Sequence, residues 1–216
     1  MLVKEGRVLV DGLPAASAEQ KVDPAVSRVR ADGEELNLGG FTYVMLHKPQ
    51  GVLSATEDAR QKTVLDLLSP ELRRKKLFPV GRLDKDSEGL LLLTDDGDLA
   101  HRLLSPKKHV DKVYRAEVDG RVDGGDVAAL AGGMVLADGL ECLPAKLEPL
   151  GDGSRCLVTL REGKYHQVKR MLAARGKPVL SLHRQSMGPL ALDSGLAPGE
   201  WRFLTARERA ELQMIG

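Results

Sequence analysis

The stretch that most constrains this chain is Gly81-Arg82-Leu83-Asp84-Lys85-Asp86-Ser87-Glu88-Gly89-Leu90-Leu91-Leu92-Leu93-Thr94-Asp95-Asp96-Gly97. Leu90 to Leu93 are an unbroken apolar run between glycine-marked polar turns, which reads as a short strand buried in the core. Asp84, Asp86 and Glu88 crowd its entry, and Asp95 and Asp96 its exit. Carboxylates this close to the most apolar segment must be exposed, paired or chemically used.

At 216 residues the chain has room for one large domain, or one domain and a small module. Aromatic residues make up only 3%, so the core has to be built of Leu, Val and Ala. A net charge of +1 gives no global attraction to nucleic acid, so any such binding needs local basic clusters. Cys142 and Cys156 form no metal or redox spacing and read as buried thiols. No segment is apolar for long enough to span a membrane, and residues 1–10 lack a signal-peptide core; a cytoplasmic, monomeric protein is expected.

Strand and turn signals alternate along the chain. Residues 7–10 and 27–30 read as strands closed by Asp11-Gly12 and Asp32-Gly33, and residues 1–38 hold too little apolar material for a core of their own. The main body, residues 41–216, opens with a buried strand at Tyr43 to Leu46, which stops at Lys48-Pro49-Gln50-Gly51. Thr63 caps a short helix ended by Pro70. Residues 113–118 alternate, with Tyr114, Ala116 and Val118 on the inward face. In residues 164–175, Val168, Met171 and Leu172 form a core-facing helical stripe, with His166, Lys169 and Arg170 on a neighbouring face. Strands with scattered short helices and no regular βαβ alternation predict an α+β fold on a mixed, mainly antiparallel sheet.

Several site types are excluded. The chain has no phosphate-binding GxxxxGK[ST], no GxSxG, no HExxH and no dinucleotide glycine fingerprint. Asp84, Asp86, Glu88, Gly89 and Asp95 fall at positions 1, 3, 5, 6 and 12 of a calcium-loop template. The template fails elsewhere: Pro79 and Gly81 break the incoming helix, Leu92 takes a ligand position, and Asp replaces the terminal Glu. Asp84 itself reads either as a turn-forming aspartate or as a carboxylate held ionised beside Arg82 or the 164–175 helix.

Four segments carry a family resemblance. Gly81-Arg82-Leu83-Asp84 with Ser87 to Gly97, Leu46-His47-Lys48-Pro49-Gln50-Gly51, Lys112-Val113-Tyr114, and Glu162 to Met171 resemble, in order, the motifs of the RsuA/Rlu family of bacterial rRNA pseudouridine synthases. The resemblance covers about residues 41–205. It implies the pseudouridine synthase fold for residues 41–216 and isomerisation of a uridine in rRNA. It also implies Asp84 as the catalytic carboxylate, Tyr114 as the ring stacking on uracil, and Lys169 as the cation pairing with Asp84. The reaction needs no cofactor and no catalytic metal. Arg82 is expected either to fill the space of the flipped uridine or to pair with Asp86 or Glu88. Lys48, Lys112, His166, Gln167, Arg170, Lys107 and Lys108 are expected on the RNA side. Arg73 to Lys76, Arg175, Lys177 and Arg184 are further phosphate candidates.

His166-Gln167-Val168-Lys169-Arg170-Met171 is closer to the small-subunit (16S rRNA) branch than to the large-subunit branch. The expected partner is therefore rRNA or a partly assembled ribosomal subunit. The readings set against this are a large-subunit (23S rRNA) enzyme and a non-catalytic assembly factor. Residues 1–38 resemble only the end of the family's N-terminal RNA-binding module, the type found in a small-subunit ribosomal protein; the module's first helices are missing, so these residues are expected to be a partial module.

Overall fold

The computed structural model describes residues 2–22, 27–36, 40–105, 108 and 110–215. The chain divides into two compact units, Met1–Phe41 and Thr42–Gly216.

The first unit holds β1 (Val8–Val10), β2 (Leu13–Pro14), β3 (Val29–Ala31) and β4 (Glu34–Leu36), an antiparallel sheet in the order β2-β1-β3-β4. Both tight hairpins have two-residue loops, Asp11-Gly12 and Asp32-Gly33, and all four of these residues have positive φ. That is the turn whose twist matches the strands it joins, which is why an Asp-Gly pair stands at each.

The second unit is built on a nine-stranded sheet. Its strands are β5 (Tyr43–Lys48), β6 (Phe78–Pro79), β7 (Glu88–Thr94), β8 (Lys112–Val118), β11 (Lys146–Leu150), β12 (Arg155–Leu160), β13 (Val179–Met187), β14 (Leu190–Ala191) and β15 (Trp201–Phe203), while β9 (Met134–Val135) and β10 (Glu141–Cys142) form a separate hairpin. The main path runs β11-β12-β8-β13-β7-β5-β15. Every pairing is antiparallel except β13 with β7. The expected mixed, mainly antiparallel sheet with few helices is what forms.

The central strands explain the leucine run. Leu90 and Leu92 pack with Tyr43 and Met45, and beneath them lie α2 (Gly97–Leu104) and α5 (Ala206–Gln213). Leu91 and Leu93 pack on the other face with Val44, Leu46, Val64 and Leu72. Both faces of β7 are thus covered, and alternation disappears from its sequence. A third cluster joins Tyr114, Ala116 and Val118 of β8 to α3 (Gly124–Ala131) and α4 (Gln167–Ala174) through Leu130, Val168, Met171 and Leu172. The inward face expected for Tyr114 and the apolar stripe of α4 meet in this cluster.

Pro70 differs from expectation. It ends the 3₁₀ turn Val64–Leu67 but also opens α1 (Pro70–Arg73), whose N-cap Ser69 accepts a hydrogen bond from the Leu72 amide. Proline lacks the amide that a first helical residue leaves unpaired, so it starts helices as readily as it stops them.

Candidate active site

The loop that carries Asp84 is fixed before any side chain on it is considered. Ser54 Oγ accepts from the Leu83 amide at 3.0 Å and donates to the Leu83 carbonyl at 2.8 Å. The Gly51 amide donates to the Lys85 carbonyl at 2.7 Å, and the Ser87 amide to the Asp84 carbonyl at 3.0 Å. The turn after β5 is therefore one wall of the Asp84 loop, which explains its proline and glycine.

Lys48 completes this frame. Its side chain is fully buried, and Nζ donates to the carbonyls of Pro49 at 3.0 Å, Asp84 at 3.0 Å and Ser87 at 2.8 Å. All three ammonium protons are satisfied by main-chain oxygen. Burial pushes its pKa down to about 8, against the opposing pull of Asp84, Asp86 and Glu88. Beyond the loop, Gly89 has φ +111°, and a Cβ there would lie 2.3 Å from the Arg184 carbonyl oxygen. Only glycine lets β7 and β13 approach this closely at the point where the loop enters the sheet.

The Asp84 side chain faces α4. Its Oδ2 lies 3.2 Å from Lys169 Nζ, and its Oδ1 lies 3.3 Å from His166 Nε2. Lys169 also reaches Asp86 Oδ1 at 2.5 Å, a shorter contact than the one to Asp84. Burial alone would lower the Lys169 pKa, but its hydrogen bonds to Asp86 and Asp84 outweigh that and raise it. The Lys169 hydrogen bond in turn holds the Asp86 carboxyl below its usual range. Lys169 is thus a full cation across the neutral range, shared between two carboxylates.

His166 is the N-cap of α4 and has left-handed backbone, φ 50° and ψ 32°. That conformation costs a non-glycine residue on the order of 1–2 kcal/mol. With this backbone the imidazole comes to lie beside the Asp84 carboxylate.

Arg82, Leu83, Asp84, Ser87, Tyr114, Leu160, Lys164, His166, Gln167, Val168 and Leu182 line one pocket. Its lining combines aliphatic and aromatic side chains with a few charged and polar groups, the usual make-up of a ligand site. Arg82 is exposed, and among the described residues no ion pair or hydrogen bond holds its side chain, neither to Asp86 nor to Glu88. Gln167 is buried, with Nε2 donating to Glu162 Oε1 at 2.5 Å and Oε1 accepting from the Lys164 amide at 3.1 Å.

Some residues expected on the RNA side lie elsewhere. Lys48 sits beneath the Asp84 loop, as described above. Lys112 is buried and donates to the Val110 carbonyl at 3.0 Å. Burial, and then the nearby Arg184 charge, lower its pKa. Arg184 is 2% exposed and donates to the Leu90 carbonyl at 2.8 Å. The sheet covers these ammonium and guanidinium groups, so they brace strands and do not meet a phosphate surface. Arg170 is partly exposed and pairs with Asp138 at 2.5 Å. Lys108 is exposed, whereas Lys107 lies outside the described residues. Sequence reasoning missed Ser54 altogether; a lone serine in a loop carries no signal of its partner.

Among the described residues no group of three His, Cys, Asp or Glu is placed to hold a metal ion, and no helix is long and apolar enough to cross a membrane. Glu88 to Thr94, which would supply most of a calcium loop, form β7.

A carboxylate paired with two basic side chains beside a pocket that a tyrosine lines defines the class of site. Residues 42–174 match the family model described as RNA pseudouridylate synthase, and this chain belongs to that family of uridine isomerases. Within it the chain falls in the RsuA/Rlu group that its motifs resemble. It is 50% identical over 210 residues to an uncharacterized RNA pseudouridine synthase, YtzG, of Bacillus subtilis, covering 96% of this chain and 88% of that protein. It is 45% identical over 211 residues to ribosomal small subunit pseudouridine synthase A of Pseudomonas aeruginosa, covering 96% and 90%. The protein of the same name from Vibrio cholerae is 42% identical over 212 residues, covering 98% and 90%. A crystal structure titled as a pseudouridylate synthase superposes with a TM-score of 0.75 at 37% identity, covering 98% of this chain and 90% of that one.

Proposed function

We propose that this chain converts one uridine of small-subunit (16S) rRNA to pseudouridine, with Asp84 as the catalytic carboxylate. The observation that carries the reading is that Asp84 and Tyr114 line one pocket while Lys169 pairs with the Asp84 carboxylate at 3.2 Å. The relatives named for the small ribosomal subunit support the choice of RNA.

In this reaction the bond between ribose C1′ and uracil N1 breaks, and C1′ is rejoined to uracil C5. The C5 proton leaves, and N1 ends with a proton. Asp84 acts on the nucleotide as nucleophile or base. Lys169 and His166 hold the carboxylate aimed, so it need not reorganise when the substrate arrives. The Tyr114 ring packs against the face of the uracil. Arg82, exposed and unpaired at the rim, takes the space vacated by the flipped uridine and holds nearby phosphate. Arg170 and Lys108 add phosphate contacts, and residues 1–38 make RNA contacts of their own. The substrate is rRNA, free or within an assembling subunit, and the chain acts as a monomer in the cytoplasm.

Asp84→Asn tests this reading. Pseudouridine mapping of small-subunit rRNA should show one modified position that is lost without the gene. That position should be restored by the parent chain but not by Asp84→Asn. A variant that restores the modification as well as the parent would remove Asp84 from the mechanism.

A further inference from the structure

We propose that Tyr165 is a stacking platform for the nucleobase next to the target uridine in the RNA chain. The proposal rests on the uridine-isomerase reading above and adds a subsite outside the pocket. His166 lines the pocket, with Nε2 3.3 Å from Asp84 Oδ1. Tyr165 lies flat on the His166 ring, with centroids 3.8 Å apart and planes 19° from parallel. Yet Tyr165 is 74% exposed, so its second face is open to solvent. The two rings form a stack that begins at the carboxylate and ends at the surface.

A single exposed aromatic needs no explanation. This one differs, because the ring it covers is a wall of the pocket and touches the candidate catalytic carboxylate. The left-handed backbone at His166 produces the arrangement, since consecutive side chains on an extended strand would point to opposite faces. A strained conformation is thus spent on bringing two rings face to face at the site.

The chemistry of the ligand follows from that of the reaction. A uridine drawn out of its stack uncovers one face of its neighbour. That face is best met by a flat ring, and stacking on an aromatic side chain tolerates any base. The nearest cation in sequence, Lys164, is already engaged with Glu162 and with the Glu141 carbonyl. The subsite therefore reads the flat face of a nucleobase and not its hydrogen-bonding edge, and it favours purines through their larger overlap.

The test is single-turnover isomerisation by the full chain of an rRNA fragment carrying the mapped uridine, with each neighbouring nucleotide either natural or abasic. Tyr165→Leu should raise the half-saturating RNA concentration roughly 5- to 150-fold, the range expected for one lost base–aromatic stack. The rate at saturation should change far less, and Tyr165→Phe should restore binding. An abasic nucleotide on one side should weaken the parent to the same extent and cost Tyr165→Leu nothing more, because both remove one contact. A Tyr165→Leu chain that binds like the parent, or losses that add at both neighbouring positions, overturns the platform alone. A parent chain that isomerises no rRNA uridine overturns the functional reading and the platform with it.

Discussion

Two lysines hold the Asp84 loop by different chemistry. Lys48, at the end of β5, is fully buried and donates only to main-chain carbonyls. Lys169, on α4, is partly exposed and pairs with two carboxylates. The first holds the loop's path through dipoles that salt and solvent do not reach. The second aims a charge, and it remains open to screening and to competing phosphate. Desolvating a lysine is costly, and here that cost goes into a rigid backbone. An active site of this kind needs both a frame that does not respond to its surroundings and a charge that does.

The strongest way to break this comparison is Lys48→Met. It leaves three carbonyls near the loop without their donor, so a loss of about 1–3 kcal/mol in denaturant stability is expected. Displacement of Asp84 by about 1 Å should lower single-turnover isomerisation on the order of 100-fold. Lys169→Met should lose activity too, with a smaller loss of stability than Lys48→Met, because water still reaches both carboxylates it leaves behind. If both variants keep the parent's stability, the division into frame and charge is wrong.

A second effect, smaller and graded, comes from pH. With its pKa pushed down to about 8, Lys48 gives up its proton in the folded protein before it does in the unfolded chain, where lysine titrates near about 10.4. Between those values the unfolded chain binds more protons, so this group makes stability rise with pH. A neutral amine, however, has only two N–H groups for three carbonyls, so the loop loosens and activity should fall over the same window. Isomerisation rates from pH 7 to 10 should show a descending limb with an apparent pKa near 8, while denaturant stability does not fall with it. The limb should be missing from the residual activity of Lys48→Met. A limb that persists there belongs to another group.

These two lysines also mark what could be read from the sequence. The leucine run, the alternation around Tyr114 and the stripe of α4 are local patterns, and local patterns survive in sequence. Periodicity placed Lys169 only on a face beside that stripe; it took the family motifs to bring it to Asp84. Lys48 precedes a proline and a glycine and so reads as a surface turn. Its burial depends on β7 and the Asp84 loop closing over it, contacts 36 and 39 residues away. Arg184 was hidden in the same way, because it is buried only once β13 lies between β7 and β8, strands distant in sequence. Tyr165 left no pattern either. A tyrosine flanked by lysine and histidine is ordinary until the backbone at His166 turns the two rings together.

The finest test separates the two acids that share Lys169. Asp86 is the closer partner, yet its side chain is 74% exposed, against 26% for Asp84. Exposure weakens the Asp86 pair more than its shorter distance strengthens it, because water screens the charges. Asp86→Asn should therefore leave Lys169 paired to Asp84 and change isomerisation by less than about fivefold, an effect of at most about 1 kcal/mol. The hydrogen bond from Lys169 depresses the Asp86 pKa, so its contribution to stability is present at neutral pH and is lost as pH falls below the ordinary aspartate value. Asp86→Asn should flatten that part of the acid unfolding curve and leave the alkaline activity limb in place. If Asp86→Asn instead abolishes activity as Asp84→Asn is expected to, then Lys169 is positioned by Asp86, and the closer contact is the one that aims the site.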